Sequence, residues 1–130
     1  MKTQLLILAA LAISAGIFGF AFKASTQVKH VVVFKYKPSA TPEQIEQVST
    51  AFKALKGKIP GIVSFEYGTN NSPEKLNKGF THVYLLTFTD AAARDAYLPH
   101  TEHKKFGELL GKLGVLEEPF VVDFEVQEVR

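Results

Sequence analysis

At 130 residues, with 46% hydrophobic and 12% aromatic content, the chain is sized for one domain with a substantial core. Its 15 basic and 13 acidic residues leave a formal net charge of +2. The lysines scatter over a strand end, a helix, a loop and the final helix, which excludes a basic, aromatic-interleaved surface for nucleic acid. The lack of cysteine excludes a disulfide framework and a lipid-modified cysteine.

Met1-Lys2 precedes an apolar run, Leu5 to Phe22, with small residues at Gly19 and Ala21. This is the layout of a secretory signal, so residues 1–21 are expected to be a signal peptide cleaved after Ala21. The competing reading is an uncleaved anchor, because a helix of that length spans roughly 27 Å, close to a thin bilayer. The protein is therefore expected to be exported, periplasmic or secreted, and to touch a membrane only if the segment is retained. Cleavage removes Lys2 and leaves 14 basic against 13 acidic residues, a net charge of +1.

Residues 22–27 read as a short tether, and residues 28–128 as the folded domain. A strongly β-branched strand is predicted from Val28 to Lys37. Thr41-Pro42-Glu43-Gln44 combines an N-cap, a proline at the first helical position and a capping-box glutamine, so a helix starts there. Ile45, Val48, Phe52, Leu55 and Ile59 form its apolar face, and Gly57 with Pro60-Gly61 stops it. A second strand, Ile62 to Gly68, leads into a polar loop over 69–79. A third strand covers Phe80 to Thr89, Asp90 caps a short helix over 91–97, and Pro99 breaks the chain before a helix capped by Thr101. The last strand runs from Phe120 to Gln127, after a break at Glu117-Glu118-Pro119.

The order strand, helix, strand, strand, helix, strand predicts an α+β, ferredoxin-like antiparallel sheet with helices on one face. Alternation then assigns the faces. Val28, His30, Val32, Phe34 and Tyr36, with Val63, Phe65, Tyr67, Phe80, His82, Tyr84, Leu86, Phe88, Phe120, Val122 and Phe124, are expected beneath the helices. The opposite face takes Val31, Val33, Ile62, Val83, Leu85, Val121, Asp123 and Glu125. It carries too many aliphatic residues for a sheet open to water, so a second copy of the chain is expected to cover it.

The densest chemistry lies between Asp95 and Phe106. His103 shares the apolar stripe of the last helix with Phe106, Leu110 and Leu113, so it points inward. Under the strand parity, His30 and His82 point to the same layer, from the side that Tyr97 reaches. Three imidazoles and a phenol in an apolar layer are either mutually satisfied core groups or a pocket with a histidine base and a tyrosine donor. His100 and His103 lie three apart, but no further ligand stands at a recurrent metal spacing, so neither a metal nor another cofactor is expected.

The chain also resembles the stress-responsive dimeric A/B barrel (Dabb) family over about Val28 to Gln127. The resemblance rests on Val28-Lys29-His30-Val31-Val32-Val33-Phe34-Lys35, on Ile59-Pro60-Gly61, on Gly68 before an Asn-rich loop and on Gly79-Phe80-Thr81-His82. It also includes Tyr97-Leu98-Pro99-His100-Thr101-Glu102-His103 with Phe106, and Val121-Val122-Asp123. It implies a dimeric α+β barrel, a homodimer packed through its sheet faces, with a small, mostly apolar or aromatic ligand held between helices and sheet. A plant member is a cofactor-free polyketide cyclase. By that resemblance His103 is implied as general base, Tyr97 as hydrogen-bond donor to a carbonyl, and His30 and His82 as ligand-binding, orienting groups. The proline stands at Pro99, before His100, where the cyclase has it after the matching histidine.

Overall fold

A computed structural model describes residues 25–129. The expected signal segment, 1–21, and the first half of the expected tether, 22–24, lie outside the described residues. Among those that are described, no helix is long and apolar enough to cross a membrane.

The elements are β1 (Val28–Tyr36), α1 (Pro42–Ala54) with a single 3-10 turn at Leu55–Gly57, β2 (Ile62–Thr69), β3 (His82–Phe88), α2 (Ala91–Tyr97), α3 (Thr101–Leu113) and β4 (Leu116–Glu125). The four strands form one antiparallel sheet in the order β2-β3-β1-β4. This is the ferredoxin-like arrangement. α1 begins with the expected capping box: Thr41 Oγ1 accepts from the Gln44 N–H at 3.2 Å, and Gln44 Oε1 accepts from the Thr41 N–H at 2.9 Å. It presents Val48, Ser49 and Phe52 to the sheet, where they join Phe34, Tyr84, Leu86 and Phe88 in the core. Gly61, at φ +90°, lets β2 start against α2: a Cβ there would lie 2.6 Å from that of Ala93.

The faces differ from the expected parity at three places. β4 starts at Leu116, and Glu117-Glu118-Pro119 lies inside it rather than breaking it; an edge strand tolerates a proline because its outer N–H has no ladder to join. Asp123 stands opposite His30 and Val121 opposite Val32, so Val121, Asp123 and Glu125 face the helices. Phe120, Val122 and Phe124 face outward and are 46–51% exposed. A bulge between Ile62 and Ser64 turns Ile62 inward, 8% exposed, and Val63 outward. β3 begins only at His82, and Phe80 lies against Phe120, at 6.1 Å between ring centroids.

The outer sheet face thus carries Val31, Val33, Val83, Leu85, Phe120, Val122 and Phe124, more apolar than alternation alone predicts. A groove of about 520 Å³ opens on it beside Phe80, Leu76 and Phe120.

Candidate functional site

The site forms where α2 ends. Asp90 Oδ1 accepts from the Ala93 N–H at 2.8 Å and starts a helix of seven residues that stops at Tyr97. Pro99 has no N–H to continue it, so the chain turns through Leu98 and restarts as α3. The N-cap of α3 is His100, not Thr101. His100 Nδ1 accepts from the Glu102 N–H at 3.1 Å, so this histidine is occupied in holding the corner.

One turn into α3, His103 Nδ1 lies 2.9 Å from the Leu98 carbonyl. A carbonyl only accepts, so Nδ1 carries the hydrogen, and the neutral ring keeps its lone pair on Nε2. The ring of Tyr97 packs 4.3 Å from that of His103, 5.7 Å from His30 and 5.0 Å from Phe88. Tyr97 is wholly buried, and its hydroxyl has no hydrogen-bond partner among the described residues. Burial, followed by the negative charge of Asp123, pushes its pKa up, so the phenol stays protonated and able to donate.

On β1, His30 is 5% exposed, and its Nδ1 lies 2.6 Å from Asp123 Oδ1. Asp123 Oδ2 is held by Arg94 Nη1 from α2, while Arg94 Nε donates to Asp95 Oδ1 at 2.7 Å. Arg94, Asp123 and His30 therefore form one continuous chain of charge-assisted contacts. His30, Tyr97 and His103 all line a cavity of about 220 Å³ between α3 and the sheet. Phe34, Phe52, Phe106, Leu110 and Val121 supply its apolar lining.

His82 does not join them. It lines a different cavity of about 490 Å³, beside Ile45, Ser49 and Tyr67, and packs edge-on against Tyr36 at 4.9 Å. Partial burial lowers its pKa. Phe34, Phe52 and Tyr84 stand between the two spaces, with Tyr84 Oη 2.7 Å from Ser49 Oγ and 3.3 Å from Tyr36 Oη. Alternation correctly put His82 on the helix side, but sharing a face did not bring it to the same end of the layer.

Asp123 and Arg94 were missed. Alternation read from Phe120 puts Asp123 on the outer face, although a carboxylate inside the apolar run Val121–Phe124 is itself a sign of a buried partner. Arg94 carries no sequence signal beyond lying one turn before Tyr97.

These features define a ferredoxin-like α+β fold with a cavity lined by His30, Tyr97 and His103 between its last helix and its sheet. The family description "stress responsive A/B barrel domain" matches residues 28–126, and the chain belongs to that Dabb family. It is 31% identical over 107 residues to the stress-response A/B barrel domain-containing protein HS1 of Arabidopsis thaliana, covering 82% of this chain and 96% of that protein. It is 28% identical over 82 residues to olivetolic acid cyclase of Cannabis sativa, covering 63% and 81% respectively. Among solved structures, a dimeric ferredoxin-like protein from Jannaschia sp. CCS1 superposes with a TM-score of 0.66 at 28% identity, covering 77% of this chain and 99% of that one.

Proposed function

We propose that the protein is an exported Dabb subunit that pairs with a second copy through its outer sheet face. Each subunit binds a small, mostly apolar molecule carrying a carbonyl or hydroxyl oxygen. The observation that carries the binding reading is Tyr97: it lines a cavity of about 220 Å³, and its buried hydroxyl is unpartnered among the described residues. Leaving a buried donor unsatisfied costs about 1–3 kcal/mol, and a ligand oxygen that reached this hydroxyl from the cavity would recover that cost. Pairing is supported by the seven apolar side chains of the outer face and by the dimeric state of the Jannaschia relative. Export is supported by the composition of residues 1–21 alone.

A second reading, a cofactor-free enzyme of the polyketide-cyclase kind, is favoured by the fixed tautomer of His103. With Nδ1 tied to Leu98, Nε2 is free to take a proton from the carbon next to a carbonyl. Tyr97 would donate a hydrogen bond to the enolate oxygen that develops. In an intramolecular aldol closure the enolate carbon bonds to a second carbonyl carbon. The alkoxide formed there then recovers the proton from His103. The similarity to olivetolic acid cyclase supports this reading.

Deuterium exchange into the α-carbon of a β-keto thioester, followed by NMR, separates the two readings. Exchange by the wild type that is lost in a folded His103→Ala dimer supports the enzyme. Binding with equal, background exchange in both proteins supports the binder, and no binding of any carbonyl probe refutes both.

A further inference from the structure

We propose that Gly107 is a specificity-determining residue of the pocket: by leaving the mouth without a side chain, it admits a ligand longer than the cavity, whose apolar chain leaves between Leu98 and Val121. The inference rests on the binding reading above and adds the shape of the ligand to it.

Exposure sorts the lining into an inner end and a mouth. His30, Val32, Phe34, Phe52, Tyr97 and Phe106 are at most 6% exposed. Leu98 and Val121 line the same space and are 47% and 51% exposed, and Gly107 is exposed as well. The cavity thus runs from the buried core outward to the strip between α3 and the edge strand β4. Pairing through the outer sheet face does not account for the two exposed apolar side chains. Val121 stands opposite Val32 on the helix side, and Leu98 lies at the corner between α2 and α3.

Nothing in the packing requires glycine at 107. The residue lies inside α3, where glycine is the least favourable residue after proline because it gives up the most chain freedom. A Cβ there would meet no heavy atom within 4 Å beyond its chain neighbours and the helix's own backbone, whereas one at Gly61 would collide with Ala93. Helical side chains lean toward the helix N-terminus, so a side chain at 107 would lie over the turn that carries His103 and stand in the mouth. The missing side chain therefore weakens the helix, and its visible effect is an open mouth.

The volume of about 220 Å³ compares with about 150 Å³ for a cavity that holds benzene, so the enclosed part takes about one ring or a short acyl unit. Anything longer extends through the mouth. The side chains flanking it, Leu98 and Val121, carry no polar atom, so the part of the ligand that lies there is apolar. The class is a carbonyl compound with its oxygen end toward Tyr97 and an alkyl or acyl chain reaching the surface.

Linear 2-alkanones from pentanone to undecanone, titrated by NMR, test this. Wild-type affinity should rise along the whole series, by about two- to fourfold per added methylene. In Gly107→Leu the short ketones should bind within about twofold of the wild type and the rise should stop, so that undecanone loses about tenfold or more. Gly111→Leu, one turn further on and outside the cavity lining, should leave the profile unchanged. Both variants should raise the urea midpoint, since each replaces a helical glycine; a lowered midpoint in Gly107→Leu would show that packing needs the glycine and would overturn the proposal. If Gly107→Leu fails to fold, Gly107→Ala carries the same expectation with a smaller loss. Without ligand, carbethoxylation of His103 by diethyl pyrocarbonate, located by tandem mass spectrometry, should slow several-fold in Gly107→Leu and not in Gly111→Leu. An unchanged rate in Gly107→Leu would overturn the proposal. Ketones that bind with a length profile indifferent to Gly107→Leu would overturn it alone, whereas a wild type that binds no ketone would bring down the binding reading and the ligand class together.

Discussion

Replacing Tyr97 with phenylalanine should make the protein more stable and worse at its task. The ring is wholly buried against His103, His30 and Phe88, and phenylalanine keeps all three contacts. Only the unpartnered hydroxyl is removed, which relieves a desolvation cost of about 1–3 kcal/mol. A small loss of packing offsets part of that, so a net gain of about 1 kcal/mol is expected. In a domain of this size it should raise Tm by about 4–8 °C and move the urea midpoint without changing the slope. The gap between the two proteins should widen above pH 10. The folded-state pKa of Tyr97 is raised from 10.0, so the unfolded wild-type chain loses this proton before the folded one does, and stability falls as pH rises. Affinity for a carbonyl probe should fall about three- to tenfold, the worth of one neutral hydrogen bond. A variant less stable than the wild type by more than about 1 kcal/mol would refute the reasoning, because the hydroxyl would then have a structural partner.

Three further outcomes are expected. His82→Asn should be the less acid-sensitive protein: burial lowers the folded-state pKa of His82 below 6.5, so the wild type loses stability as pH falls below that value. Urea midpoints of both proteins between pH 7.5 and 5 check this, and parallel curves would rule it out. Val83→Lys puts a charge at the centre of the outer apolar face and should give monomer or insoluble chain in sedimentation experiments; an unchanged dimer would mean pairing uses another surface. Gly61→Ala should cost about 2–4 kcal/mol, since it adds a Cβ at φ +90° that collides with Ala93; a loss below about 1 kcal/mol in a denaturant titration would contradict the close approach.

The elements whose ends carry local chemistry were legible in the sequence. The Thr41–Gln44 capping box and the Asp90 cap act through the next few backbone N–H groups, so their outcome is decided within one helical turn. The inward turn of His103 follows from helical periodicity in the same way. The cap at Thr101 was misplaced by one residue because a histidine can do what a threonine does when its ring nitrogen reaches the second N–H. Position along the layer was not legible. His30 and His82 share a face, yet antiparallel pairing sets Phe34, not His30, opposite His82. Between them the rings of Phe34, Phe52 and Tyr84 fill the layer, and only packing reveals that wall.

The phase of β4 had the widest consequences. Strand alternation has a period of two, so shifting the phase by one residue moves every side chain to the other face. Reading the strand from Phe120 buried three apolar side chains and exposed Asp123. The observed pairing, which begins at Leu116 and passes a bulge between Lys35 and Tyr36, exposes those three side chains and turns Asp123 toward the helix side, its side chain 22% exposed. The same correction therefore enlarges the apolar outer face and delivers the carboxylate to His30. An edge strand gains this latitude because only β1 fixes its register. Pairing surface and pocket are thus coupled through one strand: a partner packed on Phe120, Val122 and Phe124 would also hold Asp123 in place. Loss of the dimer should consequently weaken the His30 contact, even though no residue of the cavity wall is altered.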